Sequence, residues 1–175
     1  MNLPNKLSII RVALIPVIVI LLYQPSDACR IIAGALFIIA SLTDFLDGYI
    51  ARKYNLVTNF GKFIDPVADK LLVLSTFVLL LSRELIPAWM VILILARELS
   101  VDGLRLIAIS NGKVIAAGPL GKIKTASQMI FLLLILLLRQ PAFSFPIGIL
   151  LAVWICVITL WSGIDYFVRN RSLLR

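Results

Sequence analysis

Six apolar runs, each about as long as the hydrocarbon layer of a bilayer is thick, dominate the sequence: 7–23, 30–51, 64–82, 86–107, 119–138 and 146–167. A spanning helix needs roughly 20 residues, so the runs consume most of a 175-residue chain that is 61% hydrophobic. No stretch is left for a water-soluble domain. Within lipid, backbone N–H and C=O groups must be satisfied inside their own segment, which makes helices of runs this long. The expected fold is therefore an all-α integral membrane protein, a six-transmembrane-helix bundle forming one domain over 1–175. The first run does not read as a cleaved signal peptide, because Pro16 interrupts it and no small-x-small site follows in 21–27.

A formal charge of +8 raises the question of nucleic acid, but the basic residues are scattered at the ends of apolar runs and form no soluble patch. Their distribution reports topology instead. With a cytoplasmic N-terminus, Lys6, Arg11, Arg52, Lys53, Lys62, Arg105, Lys113, Lys122, Lys124, Arg169, Arg171 and Arg175 lie inside, against Arg30, Arg83 and Arg139 outside. By the positive-inside rule both termini are cytoplasmic, and the surplus favours anionic lipid headgroups. Cys29 and Cys156 have no metal or redox spacing, and the absence of histidine argues against zinc chemistry.

Against this apolar background, four of the nine acidic residues fall between positions 44 and 69. Asp44 and Asp47 are three apart, and Asp65 and Asp69 four apart. On helices each pair presents both carboxylates on one face. Four carboxylates at that density repel one another unless a cation holds them ionised, and all-oxygen ligation suits Mg²⁺ or Mn²⁺, with room for two ions. Gly48 bares the helix surface beside Asp47, and Arg52 follows one turn later, placed to meet a phosphate.

The full spacing, Asp-x2-Asp-Gly-x2-Ala-Arg-x8-Gly-x3-Asp-x3-Asp, specifies eight positions over 26 residues. It resembles the signature of the CDP-alcohol phosphatidyltransferases, with every specified position present. Pro4 to Arg11 is similar to that family's N-terminal segment, while 97–105 and Gly121 to Thr125 are similar to bacterial members whose acceptor is glycerol 3-phosphate. The resemblance implies that a phosphatidyl group passes from CDP-diacylglycerol to the hydroxyl of sn-glycerol 3-phosphate, giving phosphatidylglycerophosphate and CMP. It also implies a homodimer in a bacterial cytoplasmic membrane, with the site facing the cytoplasm. Asp44, Asp47, Asp65 and Asp69 would hold the metal, and Asp69 would be the general base. CDP-diacylglycerol would meet Asn5, Ser8, Gly48, Arg52 and Thr58.

The acceptor is read from a second polar group. The run 86–107 carries Arg97, Glu98, Asp102 and Arg105, and the two arginines, about two turns apart, share a face. Lys124 and Thr125 open the next run, with Gln128 one turn on. Burying Arg97, Arg105 and Lys124 without an anion is costly, so an acceptor that carries its own phosphate fits best. The blander alternatives are a ladder of Glu98 with Asp102 and Arg105, and positive-inside decoration by Lys122 and Lys124. Serine, inositol phosphate or a second phospholipid are the other acceptors within the family. A divalent-cation transporter is the rival outside it, disfavoured because the acidic groups cluster at one end of the spans. Asp69→Asn is expected to abolish transfer while CDP-diacylglycerol still binds, as equilibrium binding and CMP release measured side by side would show. Loss of binding with normal turnover of the remaining bound substrate would contradict the role of base.

Overall fold

The computed structural model describes residues 3–53, 59–112, 115 and 118–171, the side chains of 3–5, 44–53, 59–63, 65 and 66 excepted. Six α-helices account for nearly all of them: α1 Leu3–Tyr23, α2 Asp27–Lys53, α3 Asn59–Ser82, α4 Ala88–Ser110, α5 Pro119–Leu138 and α6 Pro146–Arg169, with a 3₁₀ turn at Ala142–Ser144. By length and composition, α5, α6 and the Lys6–Tyr23 stretch of α1 are apolar enough to cross a membrane among the described residues. The other three helices match them in length, at 27, 24 and 23 residues, but carry more charged side chains.

Several boundaries differ from the sequence expectation. Helix α1 continues through Pro16, as the single run 7–23 expects, but begins four residues earlier, at Leu3. A proline removes one backbone hydrogen bond, which neighbouring helices readily offset in apolar surroundings. Helix α3 begins at Asn59, five residues before the apolar run 64–82.

The chain divides into two compact units, Met1–Leu80 with Leu132–Leu138, and Leu81–Phe131 with Arg139–Arg175. In the first, α1 packs on α2. Helix α1 is apolar on every side, yet it buries one stripe, Ser8, Arg11, Ile15, Ile18 and Leu22, and leaves Ile9, Ile10, Val17 and Ile20 exposed. The 3-4-3-4 spacing is that of a helix seam. Helix α2 buries Ala33, Phe37 and Ala40, small residues that let backbones approach closely. Arg30 ion-pairs with Asp27 at 3.1 Å and donates to the Leu137 carbonyl at 2.7 Å, satisfying an orphan acceptor at the end of α5. Hydroxyls in these helices turn back on the preceding turn, as Ser41 donates to the Phe37 carbonyl and Thr76 to that of Leu72, both at 2.8 Å.

In the second unit α4 packs on α6. Helix α6 buries Gly148, Ala152, Ile155, Thr159, Ser162, Gly163 and Tyr166, a stripe dominated by small side chains. Two loops meet where the Ala142 N–H donates to the Leu85 carbonyl at 2.8 Å. Trp154 Nε1 donates to Ser127 Oγ at 2.9 Å, clasping α6 to α5. A methyl group at Gly148 would collide with the Ala142 carbonyl and with the Phe145 ring, whose Cζ would stand only 2.6 Å away. Gly148→Ala is therefore expected to destabilise the chain by about 1–3 kcal/mol, read as a lowered unfolding transition in detergent. An unchanged transition would mean that the 142–148 turn relaxes freely.

Candidate functional site

The aspartate pairs stand on unbroken helix: Asp44 and Asp47 in α2, Asp65 and Asp69 in α3, all within the first compact unit. The i, i+3 and i, i+4 spacings read from the sequence are thus real helical spacings. Of the four, the Asp69 side chain is described and is half-buried, directly after fully buried Ala68. The side chains of Asp44, Asp47, Asp65, Asn5, Gly48 and Arg52, and the whole of Thr58, lie outside the described residues. Ser8 is fully buried on the α1 seam. As a donor set, four carboxylates on two helices of one unit are all-oxygen ligands of the kind that hard divalent cations take.

The second unit gathers the charges of α4 and α5. Glu98 reaches beyond its own helix. It accepts from Arg97 Nη1 at 3.1 Å and, through the same Oε1, from Lys124 Nζ. Helical spacing within α4 could not disclose this, because Lys124 is 26 residues away on another helix. All three side chains are largely shielded, with exposures of 12% for Arg97, 9% for Glu98 and 5% for Lys124. Two cations thus share one carboxylate oxygen in a poorly solvated place.

Backbone shape makes room for this cluster. A methyl group at Gly163 would come within 3.1 Å of Arg97 Cγ, so the arginine stem lies across the bare face of α6. Gly121 opens a comparable space, 3.9 Å from Arg97 Nη2. Arg97 Nε and Gln128 Nε2 are both buried without a hydrogen-bond partner among the described residues. Thr125 donates to the Gly121 carbonyl at 3.2 Å, committing its proton within α5.

Arg105 is held differently. Its Nε donates to the Tyr166 hydroxyl at 3.1 Å, and its guanidinium carbon lies 5.5 Å from the centre of that ring. Tyr166 packs among Val101, Leu104, Ile115 and Phe167. Sequence reasoning missed Tyr166. Its signal was present, since Ile155, Thr159, Ser162 and Tyr166 recur at 4-3-4 spacing along the buried face of α6. Asp165 and Arg169 form the exposed pair that their spacing predicts, at 2.7 Å.

Removing the Glu98 charge takes a counter-charge from two buried cations, so Glu98→Gln is expected to lower stability by about 3–5 kcal/mol, measured by unfolding in detergent. Adding Lys124→Gln should restore part of the loss. A double variant no more stable than the single one would show that charge compensation is not what Glu98 supplies.

Comparison with known proteins covers nearly the whole chain. The profile of the family described as CDP-alcohol phosphatidyltransferase matches residues 1–161. A Bacillus subtilis protein named CDP-diacylglycerol–glycerol-3-phosphate 3-phosphatidyltransferase is 49% identical over 189 residues, covering 99% of this chain and 97% of the relative. A Rickettsia typhi protein of the same name is 42% identical, covering 98% of each. A protein of Arabidopsis thaliana, named as a second form of that enzyme, is 39% identical over 99% of this chain and 81% of its own length. With the eight-position signature intact on α2 and α3 and the family profile matched over most of its length, the chain belongs to the CDP-alcohol phosphatidyltransferase family.

Proposed function

We propose that this chain transfers the phosphatidyl group of CDP-diacylglycerol to sn-glycerol 3-phosphate, giving phosphatidylglycerophosphate and CMP. The observation that carries this reading is the 49% identity, end to end, with a relative named for that reaction. The physical chemistry of the described residues agrees with it. The second unit holds Arg97 and Lys124 on Glu98, and Arg105 on the hydroxyl of Tyr166. A group of three cations of that kind is favoured by an acceptor that brings its own phosphate.

In this reading the acceptor hydroxyl attacks the phosphorus that bears the diacylglycerol, and the bond from that phosphorus to the CMP oxygen breaks. Asp69 takes the hydroxyl proton, a contribution of roughly 10²–10⁴-fold. Asp44, Asp47, Asp65 and Asp69 would hold one or two Mg²⁺ or Mn²⁺ ions, which when bound neutralise charge on the pyrophosphate. Asn5, Ser8, Gly48, Arg52 and Thr58 bind the CDP-diacylglycerol, and Arg97, Arg105, Lys124 and Thr125 the glycerol 3-phosphate. All six helices span a bacterial inner membrane with both termini in the cytoplasm, and the active form is a homodimer.

Purified full-length chain in mixed micelles with CDP-diacylglycerol should release CMP when glycerol 3-phosphate is added. Serine and inositol phosphate should support little release. Chelation should stop the reaction, and Mg²⁺ or Mn²⁺ should restore it. Full activity in chelator would remove the metal assignment, and release that ignores glycerol 3-phosphate but follows another acceptor would remove the substrate assignment.

A further inference from the structure

Three cations stand in the second unit as acceptor ligands, and the structure separates them by what already occupies each one. Arg97 and Lys124 converge on a single oxygen of Glu98. Their charge is partly spent inside the protein. Arg105 has a neutral partner instead, the hydroxyl of Tyr166, and no carboxylate of a described residue bonds to it. A phenol oxygen can accept from a guanidinium without cancelling its charge.

The contact also selects an edge. A guanidinium has five N–H groups in a planar fork, one on Nε and four on the two terminal nitrogens. Tyr166 takes the Nε proton at 3.1 Å. The terminal pair, which matches two oxygens of a phosphate in a bidentate bond, stays available. The hydroxyl is itself fixed, because Tyr166 is only 6% exposed and its ring packs with Val101, Leu104 and Phe167. A long arginine side chain that would otherwise lose rotamer freedom on binding is therefore oriented in advance.

From this we infer that Tyr166 is a positioning residue for acceptor recognition, pinning Arg105 by its Nε edge so that its terminal nitrogens receive the phosphate of the acceptor. The inference rests on the proposed reaction, and extends it by making Arg105, rather than the Glu98-bound cations, the principal phosphate ligand. A hydroxyl on the buried face of α6, 61 residues from the arginine it serves, thereby sets acceptor affinity.

The test uses the full chain in mixed micelles and begins with the unsubstituted protein, whose CMP release must depend on glycerol 3-phosphate. Release without that dependence retires the acceptor assignment itself. Given the dependence, Tyr166→Phe, which keeps the ring and removes the hydroxyl, should raise KM for glycerol 3-phosphate roughly 3- to 10-fold, the scale of one lost hydrogen bond, and raise KM for CDP-diacylglycerol much less. Arg105→Ala should give a larger rise, and Tyr166→Phe added to it should change KM less than about twofold, since the hydroxyl acts through the arginine. Equal rises for both substrates, an unchanged KM for glycerol 3-phosphate, or the same added factor in the Arg105→Ala background would each overturn the positioning role while leaving the reaction intact. Should Tyr166→Phe fail to fold, 4-fluorophenylalanine at position 166 fills the place of the hydroxyl with a far poorer acceptor that cannot ionise. It should raise the same KM, and no rise would again overturn the inference.

Discussion

A charge carried into apolar surroundings must meet a counter-charge, a hydrogen-bonding partner or a ligand, and this constraint shapes the molecule. Among the described residues, three helices are apolar enough to cross a membrane by length and composition. The other three carry most of the ionisable groups that such helices avoid, and each described group has a solution of its own. Glu98 is shared by Arg97 and Lys124, Arg105 rests on a phenol, and Arg30 divides its donors between Asp27 and a helix-end carbonyl. Two of the buried donors left unused among the described residues, Arg97 Nε and Gln128 Nε2, sit in or one turn from the Glu98 cluster.

Packing and electrostatics are linked through the small residues of α6. Gly163 has no side chain, so the Arg97 stem can cross it, and three residues later Tyr166 returns to the same buried stripe to meet Arg105. A methyl group at 163 would press on the stem at 3.1 Å. One helix face thus accommodates one arginine by absence of bulk and orients another by a hydroxyl. This economy follows from helical periodicity, because residues 159, 162, 163 and 166 lie within two turns of one another.

The apolar runs located all six helices, and several boundaries agree closely: α5 and the run 119–138 coincide. Boundaries moved where polar residues open a helix before its apolar run begins, as at Leu3 and Asn59. The aspartate signature was legible because it is local, its spacing needing only that 44–53 and 59–69 be helical, as they are. The cation group was legible as residue types but not as partnerships. Glu98 reads in sequence as a neighbour of Asp102 and Arg105, yet it accepts from Arg97 and Lys124, and Tyr166 gave no chemical hint of Arg105.

What the sequence determined by itself is the helical character of the chain, the family to which it belongs and the spacing of its carboxylates, since all three depend on composition or on intervals within one helix. What the tertiary structure alone decided is which face of each uniformly apolar helix is buried and which cation has its charge neutralised. Hydrophobicity all round a helix carries no directional information, and an ion pair between helices depends on the rotation of both. Ser8 and Arg11 are buried on α1 while Ile9 and Ile10 are exposed beside them, an outcome that packing against α2 fixes and composition would have reversed.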